Sequence, residues 1–199
     1  MSYEVDPSRD GGSFSVRRVV AVQHGAQIFV LAASFQRDET GFEHQAGMPV
    51  VPLPETLADA GEVTAGWWPS RPFQFRPVIP RGYGDRPARP AMDHVWFRVP
   101  PPLEGGPALH QAVLAFASDM SLLDTALLPH GKGILSNLKV ASLDHAMWFH
   151  RPFRVDDWLL YSQDSPSASG ARGFARGQIF ARDGTLVASV AQEGLIRPR

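Results

Sequence analysis

Apolar and polar positions alternate along residues 13–23 (SFSVRRVVAVQ), imperfectly but with enough valine for a half-buried strand, and again along 27–35 (QIFVLAASF). His24-Gly25 between them marks a turn, so the two runs read as a hairpin. Residues 3–6 (YEVD) look like the end of an earlier strand, broken at Gly11-Gly12. Two or three strands are marginal alone, and no helical period adjoins them. This portion must lean on the rest of the chain or on another subunit.

Nine prolines follow, at 49, 52, 54, 69, 72, 77, 80, 87 and 90. Proline fixes φ and removes a donor, so this density excludes a long helix or a central strand. Residues 48–91 therefore read as a linker, with one helical turn near 55–59 and Trp67-Trp68 packing onto a domain surface.

Strand character returns at 94–99 (HVWFRV). Gly105-Gly106-Pro107 then opens a helix over 107–127, since proline suits the first helical position. Leu109, Val113, Phe116, Met120 and Leu123 recur at spacings of four and three and predict its buried face. Pro129 and Gly131 end it. Strands are expected at 137–150, 158–165, 171–182 and 185–197, the last two joined by a tight turn at Asp183-Gly184. Gly173, Ala175, Gly177, Ile179 and Ala181 share one face, which invites close approach of another backbone. One helix wrapped by a long antiparallel sheet, an α+β arrangement, uses all of this.

Composition narrows the partners. With 44% apolar and 20% charged residues the 199-residue chain is ordinarily globular, and a formal charge of -1 gives no basic field for nucleic acid. Without cysteine there is no disulfide and no thiolate chemistry. The charged N-terminal stretch lacks a signal-peptide core, and no run matches the apolar length of a membrane span, so the expectation is a cytoplasmic protein.

Three polar side chains stand out. Gln192 shares a strand face with Leu186, Ala188, Val190 and Ile196, where an unsatisfied buried amide costs about 1–3 kcal/mol. It is either a core glutamine bonded to backbone or the holder of a water or a substrate carbonyl. Asp119 falls at about 80° from the centre of the helix's apolar face, a solvated flank carboxylate or a general base aimed into a helix–sheet cleft. Asp124, nearer the helix end, reads as solvated. Ser142 alternates with Leu138, Val140, Asp144, Ala146, Trp148 and His150. It has the makings of a nucleophile served by His145 or His150, but no G-x-S-x-G elbow surrounds it. Those two histidines, five apart, point to opposite strand faces and make a poor metal pair. Arg172 and Arg176 share a face that is either solvated or turned to phosphate. Dinucleotide and P-loop fingerprints are absent.

Taken together the segments resemble the acyl-CoA thioesterase II family. The resemblance is carried by RDGGSFSVRRVVAVQHG and ASFQRDETGFEHQAGMP in the first third, and by FASDMSLLDTALLPHG, SLDHAMWFHRPFRVDDWLLYS, SASGARGFARG and DGTLVASVAQEG in the last. It implies a double hotdog fold, each long antiparallel sheet wrapped around a central helix. The first domain (1–47) would be incomplete, strands only, the linker would run from 48 to 91, and the second domain (92–199) would be complete. Members of that family normally continue before the equivalent of Tyr3. The resemblance also implies hydrolysis of fatty acyl-CoA to fatty acid and CoA, by a water held between an aspartate, a serine or threonine, and a glutamine. Carried over, these fall on Asp119, Ser142 and Gln192.

Asp119 would take the water's proton while backbone donors near the helix polarise the thioester carbonyl. A thioester is activated enough that no metal or cofactor is called for. The expected partners are the acyl-CoA substrate and further copies of the chain. Two rivals stand beside this. A hotdog hydratase would pair a histidine with a carboxylate on the helix, but the nearest, His110, lies nine residues before Asp119. An acyl-CoA-binding or scaffolding protein would bind without turnover.

Overall fold

Strands β1 (Ser2–Asp10), β2 (Phe14–Gln23) and β3 (Ala26–Gln36) form a three-stranded antiparallel sheet in the order of the sequence. His24 and Gly25 both adopt positive φ, 52° and 78°, the backbone that a tight hairpin turn demands. The structure, a computed structural model, describes residues 1–60, 73–80 and 82–199, so Trp67-Trp68 lie outside the described residues. The chain divides into two compact units, Met1–His44 and Gln45–Arg199. In the first unit Ile28, Phe29, Val30 and Leu31 are all exposed along β3.

The second unit holds a seven-stranded antiparallel sheet. Its strands are β4 (Gln74–Pro77), β5 (Met92–Arg98), β6 (Leu138–Ser142), β7 (Ala146–Phe149), β8 (Leu159–Ser169), β9 (Arg172–Ala181) and β10 (Leu186–Pro198). They run in the order β4-β5-β8-β9-β10-β6, and β7 also pairs with β10. Gly184, at φ 92°, closes the β9–β10 hairpin as expected. Gly170 and Ala171 turn β8 into β9, again with positive φ.

The proline-rich stretch corrects the linker expectation, because its described residues belong to the second unit. Strand alternation explains why. Val95, Phe97, Leu159, Tyr161 and Ile179 face one side of the sheet, whereas Trp96, Trp158, Leu160 and Phe180 face the other. That second apolar side needs cover, and Met48, Val51, Leu57 and Val78 supply it. Trp96 Nε1 donates to the Pro52 carbonyl at 2.9 Å, and Arg76 and Arg98 lie over the Trp158 ring. The helical turn is present at Pro54–Thr56. Proline did exclude a central strand: β4 has four residues and sits at the sheet's edge.

The helix departs from expectation twice. Helix α1 covers Pro107–Ser118 only, and the chain resumes as a 3-10 helix at Leu123–His130, ended by Gly131 at φ 63°. Within α1 the buried residues are His110, Leu114, Ala117 and Ser118, while Leu109 and Phe116 are 40% and 54% exposed. The predicted face relied on Met120 and Leu123, which lie beyond the helix end and so never shared its period. Small Ala117 and Ser118 let α1 settle closely against the sheet, where Leu114 and Leu122 join Phe97, Tyr161 and Val190. Residues Pro107–His130 together are long and apolar enough to cross a membrane, contrary to the expectation from sequence. They are broken at Ser118 and mostly buried in the unit, as a core layer is.

The small-residue face found its partner. An added Cβ on Gly173 would collide with Ala126 and Ile196, and one on Gly194 with Leu123. The 3-10 helix therefore rests on glycines of β9 and β10.

Candidate active site

The run expected as one strand from 137 to 150 is two, β6 and β7, both paired with β10. Ser142 pairs with Gly194 and Ala146 with Ala191, so three residues on one side face two on the other. The extra residue makes a bulge in which Leu143 and Asp144 both donate their N–H to the Glu193 carbonyl, at 2.9 and 3.3 Å. Asp144 Oδ1 in turn accepts from Glu193 N at 2.8 Å. A one-residue insertion exchanges the faces of everything after it. His145 and Met147 thus join Ser142 on the helix side, where the unbroken alternation had put Asp144 and Ala146.

The bulge opens directly onto Gln192, which is 1% exposed in the middle of β10. Its Nε2 donates both hydrogens, one to Asp119 Oδ1 and one to Ser142 Oγ at 2.8 Å. The amide cannot be turned over, since Oε1 would then face the Asp119 carboxylate, acceptor against acceptor. Oε1 is buried and accepts no hydrogen bond from a described residue. Asp119 caps the C-terminal end of α1 and is exposed, as is Ser142. The three residues singled out in the sequence therefore meet at one place: a buried amide bridges an accessible carboxylate and an accessible hydroxyl.

Ser142 has no base. Its hydroxyl donates to the Asp144 carbonyl at 3.2 Å while accepting from Gln192. Of the histidines offered to it, His150 Nε2 bonds Ser189 at 2.8 Å and His145 Nε2 bonds Ser118 at 3.0 Å. Burial pushes the His145 ring below the ordinary imidazole range, against the pull of the Asp119 and Asp144 charges. His110 is sealed in the core, its Nδ1 accepting from Val155 N at 3.2 Å, which removes the hydratase pairing. Asp124 sits half-buried in the first turn of the 3-10 helix. Arg172 pairs with Glu193 and Arg176 with Asp164, both across exposed strand surface, so the solvated reading fits them.

Reading the sequence missed Ser118 and the bulge. One signal was there: apolar residues occupy even positions at Leu138 and Val140 but odd ones at Met147 and Phe149, the phase change that an inserted residue leaves.

An antiparallel sheet packed against what is, among the described residues, a single α-helix, with polar groups converging at the helix end, defines a hotdog-type α+β protein. The sequence pattern of the acyl-CoA thioesterase family matches residues 71–195, and the chain belongs to that family. It is 40% identical to acyl-CoA thioesterase 2 of Haemophilus influenzae, over 98% of this chain and 73% of that protein. Human acyl-coenzyme A thioesterase 8 is 39% identical over 98% of this chain and 67% of its own length. The crystal structure of an acyl-CoA thioesterase II from Mycobacterium marinum superposes with a TM-score of 0.82 at 43% identity, covering 99% of this chain and 73% of that one.

Proposed function

We propose that this chain hydrolyses acyl-CoA thioesters to the free acid and CoA, with Asp119, Ser142 and Gln192 holding the attacking water. The observation that carries the reading is the Gln192 amide, which joins the Asp119 carboxylate to the Ser142 hydroxyl from a buried position. Gln192 is engaged with Asp119 and Ser142, and Ser142 also with the Asp144 carbonyl, so their geometry is preset. Asp119 retains Oδ2, which bonds no described residue and stands at an accessible position.

The chemistry follows from those roles. Water, bonded to Asp119, attacks the thioester carbonyl carbon as the carboxylate takes its proton. The tetrahedral intermediate collapses with cleavage of the C–S bond, and the proton held by Asp119 passes to the departing CoA sulfur. The acid gives its remaining proton to solvent and leaves ionised, and Asp119 is a carboxylate again. Ser142 takes no covalent part, because its one proton is directed to the Asp144 carbonyl and its lone pair to Gln192.

The test is thiol release from fatty acyl-CoA substrates of graded chain length. Turnover supports the proposal. Tight acyl-CoA binding without release of CoA thiol would point instead to a binding or scaffolding protein.

A further inference from the structure

One titratable group beside the trio has no part in the proposed reaction. His145 stands at the downstream end of the bulge, on the helix side of the sheet, with Nε2 3.0 Å from Ser118 Oγ. Ser118 is the last residue of α1, is fully buried, and immediately precedes Asp119. Its hydroxyl has a single proton, and Oγ lies 2.9 Å from the Ala115 carbonyl one turn back. That helix bond takes the proton, so His145 is the donor, through Nε2–H, to a lone pair of Oγ. The Ser118 carbonyl is held as well, accepting from the buried Tyr161 hydroxyl at 3.1 Å. The residue before Asp119 is thus fixed by the helix, by β8 and by the bulge.

We infer that His145 is a positioning residue for Asp119: aimed by the bulge, its ring ties Ser118 down and so sets where the carboxylate at the end of α1 stands relative to Ser142 and Gln192. The inference rests on the reading of Asp119 as base. Helix ends fray, and Asp119 is the residue that closes α1, so a tether on the residue before it adds to the side-chain bond that the carboxylate receives from Gln192. The same bulge sets Ser142, so one irregularity in the sheet places the hydroxyl directly and the carboxylate through Ser118. The neutral ring that burial favours is the form with one donor and one acceptor nitrogen, which suits this bond.

His145→Ala should lower kcat about 10-fold or more with KM within about twofold, since a small misplacement of a reacting group is costly. His145→Gln, which keeps an N–H at similar reach, should recover most of the loss. Ser118→Ala should resemble His145→Ala, and the double variant should be no worse than either alone, as coupled positions behave. A readout free of turnover accompanies these: amide exchange at Asp119 and Met120 should quicken in His145→Ala while the rest of α1 keeps its protection. Unchanged kcat in His145→Ala, multiplying losses in the double variant, or unchanged exchange at the helix end would each overturn the inference. Asp119→Asn is measured in parallel. Full activity in that variant defeats the base reading, whereas an inactive Asp119→Asn beside a fully active His145→Ala defeats the positioning role alone.

Discussion

Gln192 directs both its N–H groups at the two accessible members of the site, and no other residue could replace that bridge without loss. Gln192→Glu offers acceptors where donors are needed and sets a second negative charge against Asp119. It should lower turnover at least as far as Gln192→Ala, about 10-fold or more, in a thiol-release assay. At Ser142 positioning and nucleophilic attack lead to different outcomes. Ser142→Thr keeps the hydroxyl and should stay within about threefold of the original rate, and Ser142→Ala should retain measurable hydrolysis. A complete loss in Ser142→Ala, together with a trapped acyl-serine in the mass spectrum, would contradict direct attack by water.

At the scale of elements, glycine decides how closely the 3-10 helix and the sheet approach. Gly173 has Ala126 and Ile196 where a Cβ would stand, and Ala126 is held in its own helix. Gly173→Val should therefore destabilise by about 1–3 kcal/mol through overpacking, read as a lower midpoint of urea unfolding. An unchanged midpoint would mean that the helix moves off without cost. These elements also show how far the sequence could be read. The Asp183-Gly184 and His24-Gly25 turns were legible because their φ demands are local to two residues. The three candidate residues were legible as polar residues in apolar runs, with the family resemblance implying the roles proposed for them. The end of α1 at Ser118 was not legible, since Met120 and Leu123 continue the apolar spacing although the backbone leaves the helix. The bulge at 143–145 was hidden because alternation assumes an unbroken register, and its sole trace is the phase change between Val140 and Met147. The covering role of residues 48–57 depends on Trp96, Leu160 and Phe180 gathering from three strands, a partnership that no local pattern records.

At the scale of the whole molecule, acid should remove stability in two stages. His94 and His145 are held below the ordinary imidazole range chiefly by burial, with Asp93 opposing it at His94 and Asp119 and Asp144 opposing it at His145. Between those lowered values and the unfolded value of about 6.5, the unfolded chain binds more protons. Stability therefore declines as pH falls through that window. Asp156 behaves in the other sense. Its bond to Arg154, helped by the Leu103 N–H at 2.9 Å, pulls it down to about 2, so its contribution is present above the ordinary carboxylate value and is lost as pH falls toward 2. The carboxylate is 5% exposed but its partner Arg154 is half-exposed, so solvent screens the pair from that side. Unfolding midpoints followed from pH 7.5 to 2.5 should fall in both windows, and Arg154→Gln should flatten only the lower one. A midpoint that rises between pH 7 and 5 would contradict the assignment for the histidines.

At the centre of this reading, a carboxylate at the end of α1, held in place by Gln192 and through it by Ser142, removes a proton from the attacking water. Asp119→Asn preserves shape and removes the base, so its rate of CoA thiol release from a fatty acyl-CoA tests that claim most directly. A loss of about 100-fold or more in kcat with an unchanged thermal midpoint is the expected result. A folded Asp119→Asn variant that turns over at the original rate would contradict it.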